Sequence, residues 1–272
     1  MQRYFLLIVF TFQMICSLQG EIIETKNFKE ILNYIQHPET LIILDIDDTL
    51  LIPVQTLGTD VWFLSRLDHH LKINNDRQFA LDKALAEWEA VRHLTSVKIV
   101  EEGTEEIVRE MQKNNIVVMG LSTQGLALAT RTVIQLKSLS IDLTITAPAS
   151  QDHYFINGEQ GVLYRHGILF TCGTPKGPAL LTLLDMIGFC PKNIVFINDK
   201  IAHLQDLEKS AESKNINFIG LRYSYSDERV LNFNREIADI QWKHSTFNRL
   251  ISDEEAASLL HCETQLKARE AS

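Results

Sequence analysis

The chain has 272 residues, 45% apolar and 22% charged, an ordinary globular mixture long enough for one large domain or two small ones. Its 26 lysines and arginines face 35 aspartates and glutamates, a formal net charge of −9, which excludes non-specific nucleic-acid binding as a main activity. With 6 prolines, 12 glycines and no repeat of fixed period, the composition also excludes a low-complexity tail or a solenoid.

Residues 1–20 read as a secretory signal peptide. Arg3 supplies a positive start, residues 4–15 are apolar apart from Thr11 and Gln13, and small Ser17 and Gly20 precede Glu21. The apolar run is shorter than the roughly 20 residues that span a bilayer. The expected protein is therefore exported, periplasmic or secreted, with no stable membrane span after cleavage; an uncleaved anchor is the alternative. Bulky Ile15 before Cys16 is wrong for lipid attachment. Past the signal, Cys172, Cys190 and Cys262 remain, an odd number that cannot form a complete disulfide framework. Cys172 and Cys190 are open to pairing, against a blander reading of all three as small buried apolar side chains.

Residues 21–272 then alternate short apolar runs with longer helical stretches. Leu41-Ile42-Ile43-Leu44 ends at Asp45, residues 116–121 end at Ser122, Ile194-Val195-Phe196-Ile197 ends at Asn198-Asp199, and residues 216–221 end at Arg222. Continuous runs of this length suit strands buried on both faces. Residues 104–113, 178–187 and 200–213 carry apolar side chains at helical spacing, with Gly188 as a left-handed stop to the second. Strand and helix in alternation predict an α/β fold, a Rossmann-like parallel sheet with helices on both faces. Helical patterns around 61–71 and 79–94 predict a helical cap inserted after the first strand, over about 50–103. Asn157-Gly158 and Gly161 predict a hairpin insertion over about 148–170. Ser252 and Glu255 make a capping box for a last helix through Leu260.

Ligands of a parallel α/β sheet bind outside the carboxyl ends of its strands. The first such end reads Asp45-Ile46-Asp47-Asp48-Thr49, where two carboxylates can enter one crevice. Close together they repel, and a cation with oxygen ligands, Mg²⁺ rather than zinc, would hold them charged. The plain alternative is a turn whose aspartates cap nearby N–H groups. Ser122-Thr123 after the second strand, Lys176 in Gly173-Thr174-Pro175-Lys176-Gly177 before a helix, and Asn198-Asp199 after a third strand continue the series.

This order resembles the haloacid-dehalogenase (HAD)-like superfamily, most of whose members are Mg²⁺-dependent phosphohydrolases. The residues 194–200 and 218–223 look like a secreted branch of it, and the Asp-Ile-Asp-Asp-Thr start is shared, more distantly, with the exported bacterial acid phosphatases of that superfamily. The resemblance implies Asp45 as the nucleophile that forms an aspartyl phosphate, and Asp47 as the acid–base residue. Lys176 would neutralise charge, and Ser122 or its neighbour Thr123 would bind a phosphoryl oxygen. Mg²⁺ would be held by Asp45, the backbone carbonyl of Asp47, and Asp199. Thr49 would brace the loop by hydrogen bonding. Many members have a second acidic residue in the last motif; here Asn198 precedes Asp199, His203 and Leu204 follow, and Asp206 lies further down the helix. Asn198 would then only orient a metal-bound water. The implied activity is a secreted phosphomonoesterase acting on a small phosphate ester. The alternative is a catalytically degenerate secreted binding or effector protein on the same fold.

Other residues have plainer readings. His69-His70 point in different directions on a helix and suit joint chelation poorly. Trp62, Phe63 and Trp88 suit cap packing, with Trp62 and Phe63 also placed to line the pocket. Arg165-His166 suits an exposed hairpin. Glu101-Glu102 and Asp253-Glu254-Glu255 suit solvated helix starts, and Asp227, Tyr223 and Tyr225 follow the fourth strand toward the site.

Overall fold

A computed structural model describes residues 20–35, 39–246 and 249–270 of the chain. The signal-peptide reading concerns residues 1–20, of which 1–19 lie outside the described residues. An edge strand precedes the first strand read from the sequence. β1 (Glu21–Thr25) is too short and too mixed to announce itself, and it is followed by a 3₁₀ segment, Phe28–Tyr34. β2 (Thr40–Leu44) is the expected apolar run and is buried along its whole length. A two-stranded hairpin, β3 (Leu51–Pro53) and β4 (Val97–Ile99), brackets the helices α1 (Asp60–Ile73) and α2 (Arg77–Leu94). The chain continues through α3 (Thr104–Lys113), β5 (Val117–Ser122), α4 (Ala129–Ser138), β6 (His153–Asn157), β7 (Gln160–Arg165) and β8 (Ile168–Phe170). It closes with α5 (Lys176–Ile187), β9 (Asn193–Asn198), α6 (Ile201–Ser213), β10 (Asn217–Tyr223), α7 (Asp227–Leu231), α8 (Arg235–His244) and α9 (Asp253–Glu270).

The main sheet runs β1-β10-β9-β2-β5-β8-β7-β6, parallel from β1 to β8 and antiparallel in the last two strands. The segment read as a hairpin insertion is part of this sheet. Gly158, at φ 63°, turns β6 into β7, and β8 then pairs with β5 beside Ser122. Alternation along β2 divides the core. Ile42 and Leu44 pack with Val108 and Met111 of α3 and with Val133 and Leu136 of α4, while Leu41 and Ile43 pack with Leu180 and Leu183 of α5 and with Leu204 and Leu207 of α6. Helices thus cover both faces, as a parallel sheet requires.

The C-terminal segment folds back onto the helical pair. Ser252 and Glu255 form the reciprocal capping box, but α9 runs past Leu260 to Glu270. Asp253 is not a solvated helix start. Its carboxylate accepts from the Thr56 N–H and hydroxyl, each at 3.0 Å, and Gln241 accepts from the Leu57 N–H, so the C-terminal helices hold the base of α1. Trp62 stacks near Trp242 of α8, 5.6 Å between rings, in a cluster with Leu57, Trp88 and Val91. Glu101 is also structural: it accepts from the Tyr223 hydroxyl at 2.6 Å and the Phe28 N–H at 2.8 Å. Among the described residues Cys172, Cys190 and Cys262 are unpaired; Cys190 and Cys262 are exposed and Cys172 is partly so, correcting their reading as buried apolar side chains. Among the described residues no helix is long and apolar enough to cross a membrane.

Gly167 combines a φ of 77° with a close approach, since a Cβ there would lie 2.2 Å from the Leu143 carbonyl oxygen. Gly158 has φ 63° and open space around it. Gly167→Ala should therefore lower stability by about 3 kcal/mol, and Gly158→Ala by only about 1 kcal/mol. Urea unfolding of the two variants checks this ordering; equal losses would contradict the packing described.

Candidate functional site

Parallel pairing decides which strand ends meet. Leu44 lies opposite Ile197 of β9 and Gly120 of β5, so the chain leaves β2 at Asp45 level with Asn198 on one side and Leu121, the residue before Ser122, on the other. The Asp45 N–H donates to the Ile197 carbonyl at 3.1 Å, which extends the ladder one step into the crevice. Beyond it the chain turns tightly: the N–H groups of Leu50 and Leu51 both donate to the Ile46 carbonyl, and Asp48 takes φ 60°. The Arg229 guanidinium is paired with the Asp48 carboxylate, and the Ser226 hydroxyl donates to the Asp48 carbonyl at 2.7 Å. Thr49 does not provide the brace expected of it. Its hydroxyl is buried without a hydrogen-bond partner among the described residues, and side chains from α7 and the turn before it hold the loop instead.

Lys176 is brought in from the other side. The turn 171–173 pairs with the loop after β5, through the Thr171 N–H to the Ser122 carbonyl and the Gly173 N–H to the Thr123 carbonyl, both 2.9 Å. That places Lys176 at the start of α5, where Asp206 accepts from the Gly177 N–H at 2.8 Å. Asp206 thus caps α5. The Lys176 side chain, 1% exposed, donates through Nζ to Asp45 Oδ1 at 2.6 Å and lies over the Phe196 ring. Ser122 is buried, and its hydroxyl accepts from the Gln124 N–H at 3.1 Å; Thr123 is the one of the pair that lines the open pocket.

Asp47 has two partners that no motif announced. The Gln124 amide donates to Oδ2 at 2.6 Å, and Arg92, 1% exposed on α2, sets Nη2 2.7 Å from Oδ1. Arg92 was legible only as one residue of a helical pattern. Burial pushes the Asp47 carboxyl above the usual range; Arg92 and Gln124 oppose this, while Asp60 and Asp45 add to it. At the start of α1, burial also acts against ionisation of Asp60, but Lys200, 2.5 Å away, outweighs it and holds that carboxyl low.

Asp199 follows β9 into the same crevice. Burial, then the neighbouring Asp45 charge, pushes its carboxyl up to about 8, against the pull of Lys200. Its Oδ1 is buried without a hydrogen-bond partner among the described residues. Asn198 is occupied in the loop: its Oδ1 accepts from the Lys200 N–H at 2.7 Å, and its Nδ2 lies 3.4 Å from His203 Nδ1. Burial and Lys176 push His203 down to about 4, so a neutral imidazole stands where a second acidic residue was considered.

The donor set can be tested for a divalent cation. Among the described residues no group of three or more His, Cys, Asp or Glu side chains is arranged to hold a metal. Two crowded carboxylates, an orphaned buried oxygen on Asp199 and oxygen-only donors do fit Mg²⁺, with a backbone carbonyl completing the protein's share. His69-His70 take no part; His70 contacts Glu87, 3.1 Å away.

The crevice opens into a pocket of about 750 Å³ under α1 and α2, walled by Phe63, Leu64, Leu81, Leu85 and Trp88 and floored by Asp47, Thr123 and Lys200. A separate cleft of about 660 Å³, bounded by Thr56, Arg229, Phe233 and Asp253, lies behind α1, away from Asp45.

In chelator, the raised Asp199 carboxyl predicts a pH dependence. Between about 3.8, its ordinary value, and about 8, the folded chain holds a proton that the unfolded chain has lost. Folding takes up that proton, so this group's contribution to stability falls as pH rises across the window and levels off above it. Asp199→Asn removes the effect. The variant should become progressively more stable than the parent toward about pH 8 in urea unfolding, and parallel pH profiles would contradict the crowding described.

Comparison with known proteins adds relatives. A Chlamydia pneumoniae protein named "Putative outer membrane protein" is 26% identical over 271 residues, covering 96% of this chain and 97% of its own. One of the same name from Chlamydia trachomatis is 23% identical over 261 residues, covering 95% and 97%. The crystal structure of a "putative beta-phosphoglucomutase" from Thermotoga maritima aligns at TM-score 0.40 and 13% identity, over 71% of this chain and 98% of that one. A family described as "Protein of unknown function (DUF2608)" matches residues 24–257, and the chain belongs to that family.

Proposed function

We propose that the protein is an exported, Mg²⁺-dependent phosphomonoesterase that works through Asp45. The observation that carries this is the convergence of Asp45, Asp47 and Asp199 with buried Lys176 at the ends of adjacent parallel strands. Four carboxylates, Asp45, Asp47, Asp60 and Asp199, share the crevice with three cations, Lys176, Arg92 and Lys200. So much desolvated charge is costly to a fold, and a cleft that keeps it is a candidate for binding or chemistry.

In this reading an Asp45 carboxylate oxygen attacks phosphorus as the ester P–O bond breaks, giving an aspartyl phosphate. Asp47, raised by burial, gives its proton to the leaving oxygen. The Asp47 carboxylate then takes a proton from the water that attacks phosphorus, which frees phosphate and restores Asp45. Lys176 offsets the charge that gathers at Asp45 as the phosphoryl group approaches. Thr123 lines the pocket and would donate its hydroxyl to a phosphoryl oxygen. Asp45, Asp199 and the Asp47 carbonyl would hold Mg²⁺, which when bound supplies positive charge to the phosphoryl oxygens.

A degenerate binding protein was suggested by Asn198 in place of an acid. Its engagement with Lys200 and His203 gives it a structural task compatible with either reading, so it does not favour the rival. The names of the Chlamydia relatives accord with an exported location for this chain.

Phosphate release from a panel of phosphomonoesters should require Mg²⁺. It should fall by about a thousandfold in Asp45→Asn and by about a hundredfold or more in Asp47→Asn. Release that survives chelator and Asp45→Asn, or no release by a folded protein across the panel, would overturn the proposal.

A further inference from the structure

On α2, Gln78, Leu81, Asp82, Leu85, Trp88 and Glu89 all line the pocket, and their spacing continues one turn further to Arg92. One helix face therefore runs from the mouth to the floor of the pocket. It is graded in chemistry. Just beneath the lining, Arg92 is paired through Nη2 with Asp47 at 2.7 Å and leaves Nη1 buried without a hydrogen-bond partner among the described residues. One turn above, the Trp88 indole N–H is also buried without a partner, and the Arg92 guanidinium sits 5.3 Å from the Trp88 ring. Buried, unmade donor contacts are costly, so Trp88 Nε1 and Arg92 Nη1 are better explained by an acceptor that arrives from outside. Above them Leu81 and Leu85, with Phe63 and Leu64 of α1, form an apolar wall; Leu64 is 56% exposed. From Leu81 to Trp88 the helix rises roughly 10 Å. Along the same face the charged side chains are acids, Asp82 beside Leu81 and Glu89 just past Trp88, and the cation lining the pocket, Lys200, is paired with Asp60.

We propose that this face selects the substrate class: a phosphomonoester with an apolar aromatic or alkyl leaving group and no second anionic group, its phosphoryl oxygens meeting Arg92 and Trp88. The assignment rests on the phosphomonoesterase reading and deepens it. A sugar ring would bury part of its hydroxyls against the Leu81 and Leu85 wall, and a second phosphate would meet Asp82 and Glu89 rather than a free cation. Burial of a ring against Leu81 and Leu85 supplies affinity through apolar area alone.

The test uses non-hydrolysable phosphonates and the purified protein with Mg²⁺, read by calorimetry. Naphthylmethylphosphonate should bind at least roughly tenfold tighter than methylphosphonate. Leu85→Gln should shrink that ratio toward one. Arg92→Met should weaken both ligands, with Arg92→Lys recovering part of the loss. Equal binding of the two phosphonates, or a ratio untouched by Leu85→Gln in a folded variant, would overturn the assignment. Phosphate release from naphthyl phosphate and glucose 6-phosphate separates the two claims. If the phosphonate preference holds and neither ester is cleaved, the pocket assignment stands and the esterase reading falls. If both esters are cleaved equally and the phosphonates bind equally, the esterase reading stands and the substrate class falls.

Discussion

The buried contact between the Lys176 ammonium and the Asp45 carboxylate, 2.6 Å long, is the constraint around which the rest of the crevice is organised. Neither group tolerates this depth alone, because removing one partner leaves an uncompensated charge out of water. Their meeting requires β2 to end between β9 and β5, and it requires the turn 171–173 to bring the start of α5 against those strand ends. Once both hold, Asp199 enters the same space with nowhere to place its charge, and its carboxyl is driven up. An excess of acid over base at the floor of an accessible pocket is the electrostatic condition for taking up a cation and a phosphoryl group together.

A second layer of structure governs Asp47. Its carboxylate is reached from the sheet by Gln124 and from the helical pair by Arg92, so the acid–base candidate sits where two parts of the fold meet. The helical pair is itself held from behind, through Asp253 to Thr56, Gln241 to Leu57, and Trp242 against Trp62. Arg229 on Asp48 joins the same C-terminal segment to the loop that carries Asp45 and Asp47. The segment from α7 to α9 thus positions both walls of the crevice.

The apolar runs at 41–44, 116–121, 194–197 and 216–221 were legible as strands because burial on both faces leaves no polar alternation to confuse. The residues at their ends were legible because a parallel sheet collects ligands there. β1 was missed since Glu21 and Glu24 flank only two apolar residues, and its place at the sheet edge comes from pairing with β10. Arg92 and Gln124 were missed for a different reason. Both belong to ordinary surroundings in sequence, and only the return of α2 over the sheet brings Arg92 to Asp47. Thr49 illustrates the converse: its place in the motif suggested a hydrogen-bonding brace, whereas Ser226 and Arg229, far along the chain, do the bracing.

The central claim is that Asp45 becomes covalently phosphorylated. The most direct measurement is a rapid acid quench of the Mg²⁺-loaded protein during turnover of an aryl phosphate, followed by borohydride reduction and peptide mass spectrometry. An aspartyl phosphate is reduced to homoserine, so the account predicts homoserine at position 45 and nowhere else, and none in chelator. Phosphate release with residue 45 unmodified, or modification at another carboxylate, would contradict it.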